Sequence, residues 1–163
     1  MLDPAQLTQC LGKPSSSCEL LYHQPGGTVN RASELYSADG RTCRRVEALM
    51  LADVPAIQKS TFEEKCPAGM SKIGLVVDEG EDYHYYRQDR DGFWSHKDGS
   101  NKVKRYDAEG RAIWDPKTAA RDYRSNGSFL NYDKFCGYYC VPRNRHIRLA
   151  RDGNRDSNRL SSS

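Results

Sequence analysis

The chain has 163 residues, enough for one domain with its own hydrophobic core. It is polar, with 37% hydrophobic residues and a mean hydropathy of −0.85, and no apolar run approaches the ~18 residues of a membrane-spanning helix. Its net charge of +3 is uneven, because six arginines and two aspartates in residues 143–163 contribute +4. We therefore predict one domain over residues 1–142, no membrane span, and a basic, flexible tail over residues 143–163.

The N-terminal segment predicts two short helices. One begins at Asp3, with Pro4 in its first turn, and ends near Leu11. The other runs from Cys18 to His23, after a serine run that can cap it. The first ten residues lack the basic and apolar regions of a signal peptide, so we expect none. The cysteine content is compatible with a secreted or virion-associated protein.

The middle of the chain predicts a helix followed by a buried strand. Residues 42–54 form the clearest helix, because Thr42 can cap it and apolar side chains recur at helical spacing. Residues 56–70 are predicted as a loop. The apolar, β-branched run at residues 72–77 predicts a central strand.

Two aromatic segments then predict a β-hairpin. Residues 82–87 and 93–97 are the strands, and residues 89–92 form a tight turn that ends in glycine. Because side chains on a strand alternate between faces, His84 and His96 can become near-neighbours across the strand pair. The hairpin therefore predicts an imidazole pair.

Later segments complete an α+β pattern. A short strand is predicted near residues 102–106 and an aromatic strand at residues 135–141. Since the helices come first and the strands follow, we expect N-terminal helices packed on a small antiparallel sheet.

The sequence contains six cysteines, an even number that is compatible with disulfides. Cys136 and Cys140 are separated by three residues, a spacing that zinc sites also use, but no second closely spaced pair is present to complete such a site. We predict a Cys136–Cys140 disulfide or two buried thiols.

The hairpin resembles a largely uncharacterised family of small proteins found mainly in bacteria and large DNA viruses. The resemblance lies in His-Tyr-Tyr-Arg at 84–87, Gly-Phe-Trp-Ser-His-Lys at 92–97 and Phe-Cys-Gly-Tyr-Tyr-Cys-Val at 135–141. Gln-Pro-Gly at 24–26 and the cysteine-headed helix at 43–53 also match.

The family opens with Asn-Asn-Cys-Tyr-Asn-Tyr-Ala, fourteen residues before its Gln-Pro-Gly. Cys10 stands fourteen residues before Gln24 and so takes the cysteine's position, although its neighbours differ from the motif. An early cysteine followed by histidine strands is similar to the order in papain-like thiol hydrolases, including the cell-wall peptidases. The resemblance therefore implies a papain-like core.

A thiol hydrolase needs a thiolate, an imidazole that acts as its base and a group that orients the imidazole. The resemblance implies Cys10 as nucleophile, His84 as base and His96 as the orienting group, and the two histidines can exchange roles. Local sequence favours Cys18, because it follows a helix cap and a helix N-terminus lowers a thiol pKa. The substrate would be a peptide or amide, and no cofactor or metal is required.

Three alternatives stay open. The histidines can be structural members of an aromatic hairpin, or they can bind a metal ion together with Asp82 or Asp98. The chain can also be an inactive scaffold that contacts a protein partner in an assembly such as a virion. Its basic tail could then contact an acidic polymer.

Overall fold

A computed structural model describes residues 41–98 and 101–143. This part of the chain is mixed α+β, and its regular secondary structure is mostly β-sheet. It contains α1 (Cys43–Asp53), β1 (Gln58–Ser60), β2 (Met70–Asp78), β3 (Asp82–Gln88), β4 (Trp94–His96), a short 3-10 helix (Arg124–Asn126) and β5 (Lys134–Pro142). The five strands form one antiparallel sheet in the order β1-β5-β2-β3-β4. The helices predicted near the N-terminus and nearly all of the basic tail lie outside the described residues.

Helix α1 confirms the prediction for residues 42–54. The Thr42 side chain accepts a hydrogen bond from the Arg45 backbone N–H at 3.3 Å and so caps the first turn. Val46, Leu49 and Met50 are buried on one side of the helix and pack against the sheet. The apolar spacing in the sequence therefore marks the helix face that forms the core.

Strand β2 is the centre of the sheet, as its apolar run predicts. Leu75 and Val77 are fully buried in the cluster that contains α1, whereas Val76 is fully buried in a second cluster that contains Trp94. Because alternate side chains point to opposite faces, β2 is covered on both sides. The second face carries the hairpin histidines.

A β-bulge in β5 changes which face its side chains occupy. Leu75 pairs with Gly137 and Val76 pairs with Phe135, so Cys136 is the extra residue. Gly137 has a φ of +144°, which disfavours a residue with a Cβ. The bulge places Cys136 among the partly buried residues against the α1 cluster, while Cys140 sits four residues farther along the strand.

Two disulfides cross-link distant parts of the chain. Cys43 on α1 bonds to Cys136, and Cys66 in the loop before β2 bonds to Cys140. The predicted Cys136–Cys140 disulfide is wrong, and so is the alternative of two buried thiols, because each of these cysteines is bonded to a distant one. Four residues of strand span about 13 Å, whereas disulfide Cα atoms lie about 4.4–6.8 Å apart.

Two predictions about short segments also differ from the structure. Residues 56–70 contain β1, whose polar sequence gives no strand signal, and which pairs with β5. The strand predicted near residues 102–106 is reduced to isolated bridges, of which one joins His96 to Lys104. Among the described residues, no helix is long and apolar enough to cross a membrane.

Candidate functional site

The hairpin of β3 and β4 brings the two predicted histidines together. Tyr86 pairs directly with His96, and His84 lies two residues earlier on the same face. The turn between the strands closes at Gly92, which has a φ of +87°. As a result His84 Nε2 lies 3.0 Å from His96 Nδ1, which confirms that the imidazoles are neighbours.

Asp98 is the third member of the cluster. Its Oδ1 lies 3.1 Å from His96 Nδ1 and 3.5 Å from His84 Nε2. Its other oxygen accepts a hydrogen bond from Lys104 Nζ at 2.7 Å. Asp82, the other carboxylate considered from the sequence, instead accepts from the Tyr132 hydroxyl at 2.7 Å.

The Asp98 carboxylate is positioned by a backbone bridge beyond β4. The His96 N–H donates to the Lys104 carbonyl at 2.9 Å, and the Lys104 N–H donates to the His96 carbonyl at 2.8 Å. This pairing holds Lys104 opposite His96, so that its ammonium reaches one carboxylate oxygen. The second oxygen is left facing the imidazoles.

His96 faces acceptors at both ring nitrogens. Its Nε2 lies 3.2 Å from the Tyr106 carbonyl oxygen, and its Nδ1 lies 3.1 Å from Asp98 Oδ1. A neutral imidazole carries one N–H and can donate to one of these oxygens only. If Nε2 donates to Tyr106, Nδ1 presents a lone pair toward His84 Nε2 and the carboxylate, and either an N–H of His84 or a cation between the three atoms would satisfy it.

Aromatic rings enclose the histidines. His84 stacks on Tyr132 with ring centroids 5.5 Å apart, and His96 lies 5.0 Å from the Tyr86 centroid. The side chains of His84 and His96 are 6% and 0% exposed, whereas that of Asp98 is 37% exposed. The cluster is therefore buried behind the histidines and opens toward solvent at Asp98.

The buried surroundings change the acid–base properties of the cluster. Burial, and next the neighbouring His96, lower the pKa of His84 to about 4, although Asp98 opposes this effect. The hydrogen-bonding contact with His96, and then Lys104, hold the pKa of Asp98 well below its usual range despite partial burial. At neutral pH the site therefore offers a neutral imidazole beside a carboxylate.

The predicted sulfur lies outside the described residues. Both Cys10 and Cys18 fall there, and the four cysteines of residues 41–98 and 101–143 are all in disulfides. The sequence supplies His84, His96 and Asp98 as candidates, but it gives no local signal for Lys104 or Tyr132. Lys104 enters the site through a backbone bridge to His96, and Tyr132 enters it by stacking its ring on His84.

Comparison with known proteins gives a partial relative. The chain is 53% identical over 49 residues to "Insoluble matrix shell protein 1" of Ruditapes philippinarum. This match covers 30% of the chain and 33% of the relative, so the chain spans about a third of that protein's length. No protein-family model matches the chain, and neither does any solved structure.

Proposed function

We propose that this chain is a disulfide-stabilised binding or structural module of a larger extracellular assembly. The observation that carries the proposal is the pair of long-range disulfides, which join parts of the chain 93 and 74 residues apart. Such bonds form and persist in oxidising compartments. The partial similarity to a protein called an insoluble matrix shell protein supports a role in an assembly.

An exposed aromatic surface is suited to contacting a partner. Trp114 is 59% exposed and packs edge-on against Phe93 and Phe62, with ring centroids 5.4 and 6.3 Å away. Arg105 lies 6.0 Å from the Phe93 ring centre. Aromatic residues and arginine are enriched in protein interfaces. Tyr86 and Trp94 of the hairpin are buried, so they belong to the core instead.

Sedimentation tests the assembly role. The oxidised full-length chain should form large, concentration-dependent species, and Trp114→Ser should weaken their formation. Phe129→Ser is the matched control, because Phe129 is 73% exposed and lies away from this surface, beside Asp78 and Lys134. If the Trp114 variant assembles like the unmodified chain, or if neither forms large species, the proposed contact surface is wrong.

The basic tail is tested separately in the same assay. Deletion of residues 144–163 keeps Arg143, whose guanidinium donates to the Met70 carbonyl at the start of β2. If the tail contributes charge to the assembly, the deletion should weaken it, and a variant with lysine in place of each tail arginine should not. Normal assembly of the truncated chain would rule out a role for the tail.

A papain-like cysteine hydrolase, acting as a peptidase or amidase, is a second proposal. The observation that favours it is the contact between His84 and His96, which suits a base and its orienting group. In this reaction Cys10 Sγ would bond to the substrate carbonyl carbon while His84 accepts the thiol proton. His84 would return that proton to the amine as the C–N bond breaks, and water would then cleave the acyl-thioester to release the acid and restore the thiol. The reaction ranks second because burial lowers the His84 pKa and so disfavours the imidazolium that stabilises a thiolate.

Thiol labelling tests the hydrolase. In the oxidised protein the four described cysteines are bridged, so iodoacetamide at a pH of about 6 reports on Cys10 and Cys18. A nucleophile paired with His84 should react rapidly, and Cys10→Ser should abolish that fast phase while Cys18→Ser leaves it unchanged. Slow and equal labelling of both thiols would exclude an activated cysteine, and the reverse pattern would assign the role to Cys18.

A further inference from the structure

We propose that His84, His96 and Asp98 form a binding site for one divalent transition-metal ion, with zinc as the best-suited ion. The ligand atoms are His84 Nε2, His96 Nδ1 and Asp98 Oδ1. This inference does not depend on the binding or structural role proposed above. It is an alternative to the hydrolase, because a bound ion would occupy the two nitrogens through which His84 and His96 contact each other.

The separations between the three atoms fit a common cation. They are 3.0 Å between the two nitrogens, and 3.1 and 3.5 Å from the nitrogens to the carboxylate oxygen. Ligands held about 2.0–2.1 Å from zinc at angles between octahedral and tetrahedral lie about 2.9–3.4 Å apart. An ion can therefore occupy the space between the three atoms with little movement of the side chains.

Hydrogen bonds outside the cluster orient the ligands. When His96 Nε2 donates to the Tyr106 carbonyl, 3.2 Å away, the lone pair of Nδ1 is directed at the other two ligand atoms. Lys104 holds Oδ2 of Asp98 and leaves Oδ1 for the ion. Metal-binding histidines in proteins commonly donate their second N–H to a carbonyl or carboxylate in this way.

Burial makes the convergence of these three atoms more notable. The His96 side chain is fully buried and that of His84 is 6% exposed, yet one nitrogen of each ring and a carboxylate oxygen lie within 3.5 Å of one another. Two imidazoles and one carboxylate select transition metals rather than calcium, which takes oxygen ligands. Since Asp98 is partly exposed, water can complete the coordination from that side.

Zinc titration of the tag-free, oxidised full-length chain tests the site. We expect one Zn²⁺ per chain, no competition by Ca²⁺, and a rise in thermal stability on binding. Asp98→Asn should weaken Zn²⁺ binding by about tenfold or more. Asp91→Asn is the matched control, because Asp91 is an exposed hairpin carboxylate that pairs with Arg105. The Zn²⁺ affinity of this variant should equal that of the unmodified chain. A double Cys10→Ser, Cys18→Ser variant should also bind normally.

Cobalt provides a readout that needs no substitution in the buried rings. Co²⁺ bound to the unmodified chain should shift the NMR signals of the His84 and His96 ring protons and should be displaced by Zn²⁺. His84→Gln, where it folds, should lose binding. The site is refuted if the chain binds no Zn²⁺, if Asp98→Asn binds as tightly as the unmodified chain, or if Co²⁺ leaves both ring signals in place.

Discussion

The contribution of each disulfide to the free energy of unfolding should depend on whether the other is present. The size of this effect can be calculated from the positions of the cysteines. With one bridge in place, the second closes a short cycle through the segments 43–66 and 136–140, about 27 residues in all. From the entropy of closing a loop of this length, removing either bridge first should lower the free energy of unfolding by about 3.5 kcal/mol. Once one bridge is gone, the other closes a loop of 93 or 74 residues, and its removal costs about 4.5 kcal/mol.

Urea unfolding of variants in which both cysteines of a bridge are replaced by alanine measures these losses of stability. The variants are Cys43→Ala with Cys136→Ala, Cys66→Ala with Cys140→Ala, and all four together, in a Cys10→Ser, Cys18→Ser background that prevents disulfide exchange. The four-alanine chain should lose about 8 kcal/mol, comparable to the whole stability of a typical domain, so it is measured with a stabilising osmolyte.

The order in which the bridges are removed tests the chain-entropy explanation. The second bridge removed should cost about 1 kcal/mol more than the first, whichever bridge is removed first. A second removal that costs less than the first would show that local packing around the cysteines, rather than chain entropy, sets the stability. Equal first losses for the two bridges are also required, because both close the same cycle.

Two further predictions concern the sheet and the loop that covers it. Gly74→Ala would place a Cβ 2.9 Å from Pro116 Cγ, so unfolding should show a loss of about 1–3 kcal/mol, partly restored by Pro116→Ala. Asp107 is buried, yet the Arg111, Ala120 and Glu109 N–H groups outweigh burial and lower its pKa. The stability that the Asp107 carboxylate contributes is therefore fully present at pH values above ~3.9, the pKa of an unfolded aspartate. It is lost as the pH falls through the lower pKa of the folded state. Asp107→Asn should lose about 1–3 kcal/mol at neutral pH and lack this acid-dependent loss, as unfolding at several pH values would show.

Local sequence patterns determined the elements that surround the site. Thr42 and the helical spacing after it predict α1, because capping and amphipathicity depend on neighbouring residues. The alternation in residues 82–97 and the glycine turn predict the hairpin and place His84 beside His96, because a tight turn fixes the register of its own strands.

Only the tertiary structure decided the contacts between distant segments. The disulfide partners follow from a bulge at Cys136, which depends on pairing between β5 and β2 and leaves no mark in the cysteine spacing. Lys104 and Tyr132 reach the histidines in the same way, through a bridge to β4 and through packing on β3. Pairing over long sequence separations reflects the whole set of packed surfaces, so no single segment encodes it, whereas the imidazole pair lies within one hairpin and is encoded there.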